Sequence, residues 1–133
     1  MHLYKFTVEQ KHSFLDLVKK LIEADGVVGI DESNFLTAMQ NEIGLKHDFS
    51  HSKRTIDELL KPFNTRATKV WLLQELMGMG YIDDHLASEE LAFLKEVANI
   101  CGFTNNELRQ IQDIVVRTKK LLEDTNELIK AKK

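Results

Sequence analysis

One pattern constrains this chain more than any other: apolar residues recur at steps of three and four between residues that start and stop helices, and no run alternates with period two. Thr7 with Gln10 is a capping-box start, after which Phe14, Leu17, Val18, Leu21 and Ile22 share one face until Gly26 stops the turn. The spacing predicts a first helix over 8–24. Asp31 is placed to cap a second helix carrying Phe35, Leu36, Met39 and Ile43, with Gly44 as its exit. His47 to Ser50 reads as a connector. Ser52 is placed to cap a short third helix with Ile56, Leu59 and Leu60, which Pro62 ends because the residue before a proline is pushed out of the helical region. Thr65 restarts the chain. Val70, Trp71, Leu72, Leu73, Leu76 and Met77 then cover most of a helix circumference, as in a central buried helix, and Gly78 and Gly80 close it.

A fifth segment opens between Asp84 and Ser88 and carries Leu91, Leu94, Val97, Ala98 and Cys101 before Gly102. Thr104 with Glu107 opens the last helix. There Leu108, Ile111, Val115, Thr118, Leu122, Thr125 and Ile129 form a seam with Ile114, Leu121 and Leu128 beside it. The seam is covered either within the chain or by another subunit; the expectation is an intrachain cover as far as Leu122, since Thr118 and Thr125 dilute the seam and no regular charge pattern flanks it for coiled-coil pairing, and a basic tail fraying after Leu128. With 133 residues the chain buries one core without needing a metal or disulfide. The predicted class is all-α: a single domain over residues 1–133, six or seven helices in a compact bundle.

Composition excludes several function classes. Eighteen Lys+Arg against twenty-one Asp+Glu, net charge −3, lack the excess positive charge that phosphate binding needs, so nucleic acid is not an expected partner. One cysteine cannot form an internal disulfide, the start lacks the apolar core of a signal peptide, and no apolar run is long enough to span a membrane. A soluble, cytoplasmic protein is expected.

Acidic residues gather in two stretches. Glu23, Asp25, Asp31, Glu32, Glu42 and Asp48 face Lys46 alone, and Glu75, Asp83, Asp84, Glu89, Glu90 and Glu96 face Lys95 alone. Each stretch runs helix, glycine-containing turn, helix, glycine, which reads as an imperfect internal helix-loop-helix repeat whose halves pack together. The run Leu21-Ile22-Glu23-Ala24-Asp25-Gly26-Val27-Val28 with Glu32 and Phe35-Leu36 precedes a second one, Glu89-Glu90-Leu91-Ala92-Phe93-Leu94 leading to Gly102-Phe103-Thr104-Asn105-Asn106-Glu107-Leu108. Together they resemble the TerB-like family, which includes tellurite-resistance-associated proteins and the N-terminal domain of DjlA-type co-chaperones. The likeness covers about residues 14–116, with the C-terminal helix and tail over about 104–133. It implies a compact bundle of about seven helices, no nameable enzymatic activity, a bacterial stress-response setting, a protein partner that is membrane-associated in some members, and acidic loops that hold metal ions. Where the family repeats Ala-Asp-Gly in its second half, this chain has Gly78-Met79-Gly80; the acidic position is lost there, which weakens an inherited metal role unless Asp83 or Asp84 substitutes.

Hard cations such as calcium or magnesium take oxygen ligands, so the candidate donors are Glu23, Asp25, Glu32, Asp83, Asp84 and Glu89. Asp25-Gly26-Val27-Val28 with Glu32 matches the back half of a calcium loop, but the first ligand position falls on Leu21. The structural alternative makes Gly26 a left-handed exit and Asp31 or Glu32 a complement to the next helix's positive start. His47 and His51 have metal-like spacing only if helical; in a connector they read as solvated, and His85 beside Asp83 and Asp84 is a lone candidate. Cys101, Trp71, Met77 and Met79 read as packing residues. Lys119, Lys120, Lys130, Lys132 and Lys133 make the C-terminal end basic, which suits a helix C-terminus and falls short of a membrane-binding cluster. With no nucleophile elbow, phosphate loop or dinucleotide fingerprint, the expected function is a non-enzymatic domain acting through protein contacts, its acidic loops the candidate ligand surface. The rivals are a divalent-metal module using both acidic loops, and an enzyme whose carboxylate or histidine site no motif reveals.

Overall fold

The computed structural model describes residues 2–24, 30–49, 54–81 and 86–131, with side chains in the second stretch described from residue 34 onward. It contains a short 3-10 turn at Leu3–Lys5 followed by six α-helices: α1 Val8–Glu23, α2 Ile30–Ile43, α3 Ile56–Leu60, α4 Arg66–Gly80, α5 Ser88–Ile100 and α6 Asn105–Lys130. The described residues contain no strand, so the architecture is all-α.

Local chemistry sets the helix boundaries. The Thr7 hydroxyl accepts the Gln10 N–H at 3.1 Å while the Gln10 side chain accepts the Thr7 N–H at 2.9 Å, and Thr104 and Glu107 do the same for α6. Gln10 Nε2 also donates to the Pro62 carbonyl at 2.9 Å, fastening the start of α1 to the end of α3. Gly44 and Gly102 end α2 and α5 at φ 75° and 89°, the left-handed region where a side chain is strained.

Two cap assignments are corrected. Because α2 begins at Ile30, Asp31 lies inside its first turn. For α3 the cap is Thr55, which exchanges hydrogen bonds with Glu58; Ser52 has Thr55 three residues on, without a carboxylate to complete the box.

α1 and α4 share the middle of the bundle, where α4 alone was expected. α4 packs on α1, α5 and α6, while α1 also meets α2, α3 and α5. Phe14, Leu17, Leu21, Leu72, Leu76 and Leu94 are essentially inaccessible to solvent. Trp71 lies at the margin, stacked by the His2 ring and covered by the Lys5 ammonium 4.5 Å from its centroid.

The seam of α6 splits. Leu108, Ile111 and Val115 are buried, whereas Leu121 and Leu122 are 66% and 62% exposed. The expected intrachain cover as far as Leu122 is therefore overturned. Length supplies the reason: α6 has 26 residues against 15 in α4 and 13 in α5, so it runs on past both. At 1.5 Å per residue that is about 39 Å of helix beside neighbours of about 20–22 Å. The last ties to the bundle are Gln112, which donates to the Tyr81 hydroxyl at 2.6 Å, and the Lys119 ammonium, which donates to the Tyr81 carbonyl.

Candidate functional site

Two features depart from ordinary bundle packing: a polar chain buried between α1 and the connector after α2, and the distal half of α6.

The polar chain begins with helix spacing. His12 and Asp16 are four residues apart on α1 and so share a face. Asp16 is only 3% exposed, and a carboxylate removed from water must be paired. Its partner arrives through the α2 exit: the Gly44 and Leu45 N–H groups both donate to the Gln40 carbonyl, turning the chain back onto α1. The His47 N–H then donates to Gln40 Oε1 at 2.7 Å, Leu45 and Phe49 pack against the core, and the Phe49 ring stands edge-on to the imidazole at 4.7 Å. So positioned, His47 Nε2 lies 2.5 Å from Asp16 Oδ1, and Nδ1 lies 2.8 Å from His12 Nδ1.

The proton positions follow from taking the Asp16 carboxylate as an acceptor. With Nε2–H donated to the carboxylate, His47 Nδ1 carries the lone pair that accepts from His12 Nδ1–H, leaving His12 Nε2 as the basic end. The arrangement is a hydrogen-bonded Asp16–His47–His12 chain. It is not a chelate, because the two partners of His47 sit on opposite ring nitrogens. Beside it opens a cleft of about 490 Å³ lined by Thr37, Gln40, Asn41, Lys46, His47 and Asp48.

His47 is thus a correction: its side chain is 9% exposed and hydrogen-bonded on both nitrogens, where a solvated connector histidine was expected. His51 and His85 lie outside the described residues. Of the expected cation ligands, Asp25, Asp83 and Asp84 also lie outside them, as does the side chain of Glu32. Glu23 ends α1 half-buried, and Glu89 is exposed in the first turn of α5. Among the described residues no three His, Cys, Asp or Glu side chains are grouped so as to hold a metal ion. Cys101 is half-buried against the core, and burial pushes its thiol up from the usual range.

On distal α6, Leu128 and Ile129 join Leu121 and Leu122 at 73% and 65% exposure. The polar face is internally paired, with Asp113 to Arg117 at 2.9 Å and Lys120 to Asp124 at 2.7 Å; the carboxylate of Asp124 holds the Lys120 ammonium above its ordinary pKa. The seam also carries Thr118 and Thr125. Their hydroxyls turn back and donate to the Ile114 and Leu121 carbonyls at 2.8 and 3.0 Å, which satisfies them within the helix. No described helix is long and apolar enough to cross a membrane.

Compared with family models, curated proteins and solved structures, the chain matches none of them.

Proposed function

We propose that the chain is a non-enzymatic, TerB-like helical domain that acts through protein contacts in a bacterial stress-response setting, with the distal half of α6 as its contact surface. One observation carries the reading. Leu121, Leu122, Leu128 and Ile129 stand 62–73% exposed on a helix that carries the Asp113–Arg117 and Lys120–Asp124 ion pairs. Leaving each in water forgoes part of the roughly 1.5–3 kcal/mol that burying such a side chain contributes. A photo-crosslinking residue at Leu122 in the living cell tests it. Protein adducts are expected there and absent from the same residue at Arg109, on the proximal half of the helix. Adduct-free Leu122 variants would overturn the reading.

The Asp16–His47–His12 chain supports a second reading, an enzyme with a histidine–carboxylate site, since it leaves a basic imidazole nitrogen oriented through a buried carboxylate. Here His12 Nε2 attacks the carbonyl of an activated ester, the ester C–O bond breaks to release the alcohol part, the His12 Nδ1 proton passes to His47 Nδ1, and water then hydrolyses the acyl-imidazole to the acid and restores His12. Cleavage of p-nitrophenyl acetate faster than by free imidazole, lost in His12→Ala and slowed in Asp16→Asn, is the expected outcome. A rate no greater than free imidazole retires it.

A further inference from the structure

We propose that the hollow between α5 and α6 binds a small organic anion, its carboxylate or phosphate held between Lys95 and Arg109 and its apolar part laid on Leu91 and Leu108. The hollow encloses about 330 Å³ and is lined by Leu91, Lys95, Asn105, Leu108, Arg109 and Gln112. Helix spacing brings them together: Leu91 and Lys95 are one turn apart on α5, and Asn105, Leu108, Arg109 and Gln112 follow one face of α6. The site shares no residue with the distal half of α6 or with the Asp16–His47–His12 chain, so it stands apart from both readings above.

The charges call for an anion. Lys95 and Arg109 line the same hollow from different helices, and among the described residues no carboxylate lines it with them. Each cation lacks an acid where a helix would supply one. Lys95 has Leu91, Ala92, Ala98 and Asn99 three and four residues away, and the adjacent Glu96 lies about 100° round the helix. Arg109 has Asn105, Asn106, Gln112 and Asp113 at those spacings, but Asp113 is paired with Arg117 at 2.9 Å. Glu107 is engaged as well, by the Thr104 N–H and by Arg66. Two like charges across a groove repel each other, and an anion between them replaces that repulsion with charge-assisted hydrogen bonds. The planar Arg109 guanidinium matches two oxygens of a carboxylate or phosphate, while the Lys95 ammonium adds a point charge.

The rest of the lining sets the ligand's size. Leu91 and Leu108 supply apolar surface between the cations, and Gln112 is held in place by its bond to the Tyr81 hydroxyl at 2.6 Å. That wall is fixed before a ligand arrives, which lowers the cost of binding. Small-molecule sites span about 300–1,000 Å³, and this hollow sits at the low end, enough for an aromatic or short-chain acid and too little to seat a polypeptide segment.

Amide NMR of the isotope-labelled full chain, titrated with benzoate and with phenyl phosphate at about 0.15 M salt to screen diffuse attraction, is the test. Shifts should saturate and centre on residues 91–95 and 105–112. At least one of the two acids should bind with a Kd of about 1 mM or below, and the tighter one identifies the head group. Lys95→Gln and Arg109→Gln should each weaken binding about tenfold, and Lys130→Gln at the far end of α6 should leave it unchanged. Both lining cations are exposed, so the unliganded spectra of these variants should remain those of the folded chain. Inorganic phosphate that binds as tightly as phenyl phosphate would overturn the apolar contact, and benzyl alcohol that binds as tightly as benzoate would overturn the charge pairing. Shifts that never saturate, or that persist when both cations are replaced, eliminate the site. A hexaglutamate peptide that binds more tightly than either small anion would reassign the hollow to an acidic protein segment.

Discussion

The two halves of α6 are written in one periodicity and have opposite fates. From Leu108 to Val115 the stripe is buried against the bundle, and from Leu121 to Ile129 the same kind of stripe faces water. The proximal half starts from a capping box and is held to α4 by the Arg66–Glu107 ion pair, while among the described residues no neighbouring helix reaches along the distal half. An apolar period specifies a face; what covers that face depends on where neighbouring helices end.

The strongest way to break this comparison is to truncate matched positions. Ile111→Ala should cost about 2–5 kcal/mol, as buried truncations do, whereas Leu122→Ala should fall within about 0.5. Equal shifts in denaturant melts of dilute protein would erase the distinction between the halves. Next in size is the junction: Lys119→Met removes the ammonium donated to the Tyr81 carbonyl and should cost about 1 kcal/mol. No loss in the same melts would move the boundary between the halves toward Val115.

A smaller effect concerns the anchored start. The Thr104 N–H bond, then Arg66, hold Glu107 below the ordinary carboxylate pKa of 4.5. A depressed folded-state pKa contributes stability that is present above about 4.5 and lost as pH falls through the folded value. Arg66→Ala should therefore raise the Glu107 titration midpoint seen by NMR and flatten the acid limb of the stability curve. An unmoved midpoint would detach α4 from the start of α6. The least effect is expected from ending the chain after Lys120: the melting temperature should change by no more than a degree or two. A large drop in the melting temperature would show that the arm is covered within one chain.

Legibility followed the range of the interaction. The Thr7–Gln10 and Thr104–Glu107 boxes and the Gly44 and Gly102 exits are settled within a few residues, and the sequence reading located all four. Thr55 was missed in favour of Ser52, although Glu58 three residues on was the available sign. His47 was illegible for another reason: its partners, Asp16 and His12, are 31 and 35 residues away, and only the Gly44 reversal brings them together. A faint clue existed in Asp16, a carboxylate set among the apolar positions Leu15, Leu17 and Val18 of α1. For α6, the stripe was correctly seen, but its cover was inferred from pattern alone; the structure answers with helix lengths and with threonine hydroxyls folded onto their own backbone.

The placement of α1 has a kinetic consequence. It touches α2, α3, α4 and α5, is tied by Gln10 to Pro62, and holds the connector through Asp16. Its amide protons can meet solvent deuterium only when the whole bundle opens, so the slowest-exchanging amides should mark α1 and measure the global unfolding equilibrium, while the last turns of α6 exchange by fraying within seconds.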